Sequence, residues 1–232
     1  MRESIVIKNI GPLAKGDSIH LRGGEVSKDD EVMGSGMRSG KIIGAMPTVV
    51  SRMRKACRVS DATLLELAAC LEPCSFPKRH LLVVDNARSR YAYFVEKGLT
   101  RSFWIVDGEE ITTSFSTDGA IVFSMDELYY DRPSEENVET IEAVTAFRIH
   151  VGDLTRLLET NIELANWGRI IHQDEYRRLH RSHKERLTLP ARERYEAFCS
   201  QFPEVAAKAR LGHIASYLGL RLSTLSRLRG RI

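Results

Sequence analysis

The sequence predicts an α+β chain in which an antiparallel β domain is flanked by helices and followed by a C-terminal helix-turn-helix. Three observations carry that prediction. Between residues 80 and 149, short β-branched and aromatic segments alternate with turn signals, as the strands of a sandwich or barrel do. From Leu154 onward the apolar period becomes helical and stays so. Residues 211–231 then place a glycine between two short apolar-periodic segments, the spacing of two helices packed across a tight corner.

At 232 residues the chain can hold two modest domains, each with its own core. No apolar run approaches the length of a membrane span, and the longest, Leu64 to Leu71, is far too short. The N-terminus has no basic stretch leading into an apolar block, so no secretory signal is expected. Four cysteines (Cys57, Cys70, Cys74, Cys199) do not suggest a disulfide framework, and a reducing cytoplasm is the expected location. The net charge of +3 conceals an asymmetry. Residues 99–176 carry 5 Lys/Arg against 16 Asp/Glu, whereas residues 177–232 carry 13 against 4. A basic C-terminal quarter beside an acidic middle suits a polyanion-binding module, although a pair of solvated faces would look the same.

Residues 1–45 are rich in Gly, Ser and Lys without sustained periodicity, so they read as an extension, mostly disordered or mis-started, with Met33, Met37 and Met46 as further candidate starts. Within it, SGMRSGKI falls short of a phosphate-binding loop, because Ser35 replaces the first glycine and Ile42 the magnesium-binding hydroxyl residue. Thr48 to Cys70 is helical in pattern, with Asp61 as the expected N-cap of its second part. The expected strands are 80–84, 91–95, 99–106, 110–115, 120–125 and 138–149. Asp107-Gly108 between two of them signals a two-residue hairpin. After Leu154, Leu157 and Leu158, a long helix from about Ile162 to Leu187 carries the narrow stripe Leu164, Trp167, Ile171 and Leu179. That stripe fits either a dimer seam or packing against the β domain. A further helix follows Pro190 and stops at Pro203.

In LGHIASYLGLRLSTLSRLRGRI, Ile214, Ala215 and Leu218 are expected to face inward from the first helix, and Leu225 and Leu228 from the second. Gly219 turns the corner, where a Cβ is disfavoured, and Leu220 follows it. The outward face of the second helix presents Arg221, Ser223, Ser226 and Arg227, with Thr224 placed for a phosphate. Arg227 can pair with a guanine edge, and Leu222 can meet a thymine methyl or pack. Arg229 and Arg231 are expected near phosphates, where they fix register.

From about residue 47 to the end the chain resembles the Crp/Fnr family of bacterial transcription regulators, closest to the branch common in Bacteroidetes. The resemblance rests on YAYFVEKGLTRSFW, DGEEITTSFSTDG, RPSEENVETIEA, RYEAFCSQFPE and HIASYLGLRLSTLSRLRG. It implies an N-terminal β jelly-roll sensor domain of the cyclic-nucleotide-binding type at 46–160, a dimerisation helix at 161–188 and a helix-turn-helix domain at 189–232. It also implies a homodimer on palindromic double-stranded promoter DNA, with RNA polymerase as a further partner. Family members that bind cyclic nucleotides hold the phosphate with a Gly-Glu pair and a later Arg-Ser pair. Those positions fall here near Ser124-Met125-Asp126 and at Ser134-Glu135-Glu136, so the effector pocket would be lined by Asp126, Ser134, Glu135 and Glu136. Glutamates in place of an arginine repel a phosphate, and cyclic AMP is not expected to bind. Leu222-Ser223 replaces the Arg-Glu pair common at the start of the reading helix, and the chain stops at Ile232 without a following β wing.

The cysteines lack the tight spacing of an iron–sulfur cluster, and His172, His180 and His183 along the long helix read as solvated or interface groups. No cofactor or metal is expected. Nothing places a nucleophile beside a base or pairs carboxylates in a cleft, so no enzyme is expected either. The competing reading is a ligand-sensing or scaffold protein of the same fold that no longer reads DNA.

Overall fold

The computed structural model describes residues 35–230. Three helices come first: α1 (Ser35–Ala45), α2 (Pro47–Ala56) and α3 (Asp61–Ala69). Strands β1 (Glu72–Phe76), β2 (Leu81–Val83), β3 (Tyr91–Lys97), β4 (Thr100–Val106), β5 (Glu109–Ser116) and β6 (Ile121–Val122) follow. After α4 (Met125–Tyr130), β7 (Asn137–Thr140) and β8 (Val144–His150) complete the β domain. The rest is helical: α5 (Val151–Thr160), α6 (Ile162–Thr188), α7 (Ala191–Gln201), α8 (Pro203–Lys208), α9 (Leu211–Leu218) and α10 (Leu222–Arg229). No helix among the described residues is long and apolar enough to cross a membrane.

The strands form two antiparallel sheets, ordered β1-β8-β3-β6 and β2-β7-β4-β5, which is a jelly roll. Its central strands are buried on both faces. Along β3, Tyr93 and Val95 enter the core between the sheets, while Ala92 and Phe94 face the helices. Along β8, Val144 and Ala146 do the first and Phe147 and Ile149 the second. The period-two alternation of a strand therefore feeds two cores, and both strands read as nearly continuous apolar runs. The hairpin at Asp107-Gly108 has positive φ at both residues (52° and 81°), which makes a type I′ turn between Val106 and Glu109.

Several expectations need correction. Residues 35–45 form α1, and its Ile42 is buried in the helical core with Met46, Val49 and Met53. SGMRSGKI is thus helix, with no loop to cradle a phosphate, and the rest of the expected extension lies outside the described residues. Ser60, not Asp61, caps α3, accepting the Thr63 N–H at 3.2 Å. The apolar segment 120–125 gives only a two-residue strand before α4 begins. Leu164 and Trp167 do not form an exposed seam: both are buried in the core of their own chain, Trp167 stacked on Phe94 with centroids 5.7 Å apart. Ile171 packs partly against the same core. Of the expected seam, Leu179 alone is exposed, and Tyr176 and Leu187 stand on α6 beside it at 70% and 72% exposure.

The start of α6 is fixed by Glu163. One of its carboxylate oxygens accepts from the Ser60 N–H and hydroxyl, both at 2.8 Å, and from the Thr63 hydroxyl at 2.7 Å. These bonds pull its pKa down to about 2.

Candidate nucleic-acid interface and sensor cassette

The C-terminal helices form a core of Tyr195, Phe198, Val205, Ile214, Ala215, Tyr217, Leu218 and Leu225, and the roll contributes Leu99, Phe115 and Ile141 to it. Gly219 closes α9 at φ 63°, ψ 41°. Leu220 N–H reaches back to Ala215 O at 2.9 Å, the Schellman closure. A Cβ at Gly219 would meet nothing nearer than 3.9 Å, so glycine is required by the left-handed backbone and not by space. Arg194 from α7 donates to Leu218 O at 2.8 Å, placing a cation on the last carbonyls of α9. Ser216 ties α9 to the roll, donating to Glu110 O at 3.0 Å and accepting from the Thr112 N–H at 2.9 Å. Arg178 of α6 adds bonds to the Tyr217 hydroxyl and Ser114 Oγ at 3.1 and 3.2 Å.

The opposite side of α10 is left open. Arg221, Leu222, Ser223, Ser226, Arg227 and Arg229 are exposed, and Thr224 is half-buried. Arg227 makes only a 3.3 Å bond from Nε to Ser223 O within its own helix. Arg221, Arg227 and Arg229 form no ion pair among the described residues, and no Asp or Glu follows Glu204 in the sequence. Arg231 lies outside the described residues.

The cassette around α4 treats charge differently. Asp126 accepts Arg132 Nε and Nη2 at 2.8 and 2.6 Å on one oxygen and the Glu135 N–H at 3.0 Å on the other. Burial alone would raise its pKa, yet these bonds hold it below the ordinary range. Ser134 is buried in a tight loop, accepting from the Glu136 N–H and donating to its carbonyl. Glu135 is exposed and lies 3.4 Å from Arg132. Glu136 is half-buried; desolvation, with Asp126 adding repulsion, pushes its pKa up to about 7. The structure thus brings Asp126, Ser134 and Glu136 together, with Glu135 at the rim. Sequence reasoning missed Arg132, and it missed buried Glu127, which accepts the Ser89 and Arg90 N–H groups at 2.9 and 2.7 Å. Neither pairing had a local signal, because each partner is reached only through the fold. The space between the sheets is filled by Leu82, Val83, Tyr93, Val95, Val122, Val138, Val144 and Ala146.

The cysteines are free and half-buried. Burial raises the Cys74 thiol to about 11, which makes it a poor nucleophile.

Residues 73–161 match the family model of the cyclic nucleotide-binding domain. The likeness to solved structures runs further along the chain. FixK2 from Bradyrhizobium japonicum is similar with a TM-score of 0.61 at 20% identity, over 69% of this chain and 83% of its own. A protein assigned to the Crp/Fnr family of transcriptional regulators, from Eubacterium rectale, gives 0.60 at 15% over 73% and 82%. The c-di-GMP responsive global regulator CLP from Xanthomonas campestris gives 0.59 at 14% over 74% and 91%. At these identities the likeness establishes a fold shared with such regulators. No curated protein sequence matches the chain.

Proposed function

We propose that the chain is a DNA-binding transcription regulator of the Crp/Fnr type, a homodimer that reads promoter DNA through a helix-turn-helix made by α9 and α10. The observation that carries this reading is α10 with its N-cap: Arg221, Arg227 and Arg229 are exposed and have no ion-pair partner among the described residues, on a segment that contains no acidic residue. A surface of that kind is an electrostatic footprint for a polyanion, and Arg227 stands where it can add a base-edge contact. In this reading residues 46–160 are the sensor, 161–188 the dimer helix and 189–232 the DNA-binding domain, in a cytoplasmic protein that engages RNA polymerase at its promoters. Exposed Tyr176, Leu179 and Leu187 on α6 give two copies an apolar stripe to share. Residues 125–136 offer five carboxylates and a single arginine already held by Asp126, so cyclic AMP is not their effector. Arg227 occupies the base-reading position, Arg221, Thr224 and Arg229 hold phosphates, and Leu222, Ser223 and Ser226 line the groove-facing side.

Selection of random duplexes by the purified protein without added ligand tests this. The expected product is a palindrome whose half-sites lie about one helical turn apart. Recovery of no site, with or without added small molecules, would favour a scaffold of the same fold.

A further inference from the structure

Between the roll and α9 lies a charged cluster that DNA reading does not use. At its centre is Arg101 of β4, whose side chain is only 1% exposed. Its Nε donates to Glu139 Oε1 at 2.9 Å, Nη2 to Glu110 Oε2 at 2.5 Å, and Nη1 to Thr112 Oγ1 at 3.2 Å. The guanidinium also lies 4.1 Å from the centroid of the Phe103 ring. His213 of α9 completes the group: one candidate ligand atom each from Glu110, Glu139 and His213 lie within 4.8 Å of one another. The three come from β5, β7 and α9, so the fold alone assembles them.

We propose that Glu110, Glu139 and His213 bind a divalent transition-metal ion, Zn2+ or Mn2+, that joins the roll to α9. Two carboxylates against one guanidinium leave a local charge of −1 for a cation to neutralise. Arg101 occupies one oxygen of each carboxylate and orients both, which leaves Glu110 Oε1 and Glu139 Oε2 as donors. Independently, Nδ1 of His213 is buried and has no hydrogen-bond partner among the described residues, so the imidazole has unspent polar capacity. One imidazole and two carboxylates suit Zn2+ or Mn2+ better than soft Cu(I), and three protein ligands leave a position for water. Donors around a tetrahedral ion at about 2.1 Å stand roughly 3.4 Å apart, so the cluster must tighten on binding. Half-exposed Glu110, next to the hairpin turn, has the freedom to do so.

Calorimetric titration of the full-length protein with ZnCl2 and with MnCl2 is the test, with electron paramagnetic resonance reporting bound Mn2+. One ion per chain is expected, its affinity falling roughly tenfold or more in both His213→Gln and Glu110→Gln. A His180→Ala/His183→Ala variant, which removes the exposed imidazoles of α6, is expected to bind as the parent does. Should His213→Gln fail to fold, Glu110→Gln on the half-exposed strand decides alone. Absence of stoichiometric binding overturns the proposal. So does binding that survives Glu110→Gln, or that disappears with the α6 histidines.

Discussion

The cassette around α4 and the C-terminal helix α10 are both short helical segments with charged side chains at the surface, and they treat those charges in opposite ways. In the cassette Arg132 is spent on Asp126, Ser134 closes its own loop, and Glu127 is consumed by the Ser89–Arg90 backbone. On α10, Arg221, Arg227 and Arg229 have no acidic partner among the described residues. Satisfied charge holds a structure together, whereas unsatisfied charge waits for a ligand of opposite sign. In the proposed reading the contrast gives recognition to the C-terminal end of the chain and leaves the cassette as an acid-rich loop.

Arg227→Ala should show the largest effect. At a selected operator it is expected to cost about 1–3 kcal/mol of binding per half-site and to relax preference at one base pair in each half-site. Competition binding with point-substituted duplexes measures both. In the cassette, Asp126→Ala should release Arg132 and lose two charge-assisted bonds and the tie to the Glu135 backbone. Because the pair is partly exposed, the expected loss is about 1–2 kcal/mol in urea unfolding, with DNA affinity unchanged. A pH profile tests the cassette in a second way. The folded-state pKa of Glu136, about 7, lies above its ordinary 4.5, so its contribution is full below about 4.5 and is lost as pH rises through 7. Glu136→Gln should therefore unfold at a higher temperature than the parent at pH 8 and at nearly the same temperature at pH 4.5.

Much of this contrast was legible in the sequence where the signal is local. The strands announced themselves through β-branched and aromatic runs, the I′ hairpin through Asp107-Gly108, and the turn between α9 and α10 through Gly219 with apolar residues at fixed offsets. Ile214, Ala215, Leu218 and Leu225 are buried as their spacing required. What escaped depends on tertiary placement. The stripe Leu164, Trp167, Ile171 has the same period whether it meets a partner helix or the chain's own roll, and Phe94 decides for the roll. Residues 35–45 contain three glycines and read as part of a disordered extension, yet docking of Ile42 into the core overrides that local propensity. Strand β1 was hidden by Pro73, and the tie between Asp126 and Arg132 spans a bend that no motif encodes. The cluster of Arg101, Glu110, Glu139 and His213 draws on three strands and a helix and is visible only once they are folded together.

The central claim is that α10 meets the DNA backbone with arginines held free for it. The slope of log affinity against log salt for a selected duplex tests this most directly, measured for the parent and for Arg221→Ala/Arg229→Ala. A steep negative slope is predicted for the parent, shallower by about four in the variant, roughly one for each phosphate contact removed, two from each protomer of the proposed dimer. An affinity independent of salt, or a variant with the parent's slope, would contradict it.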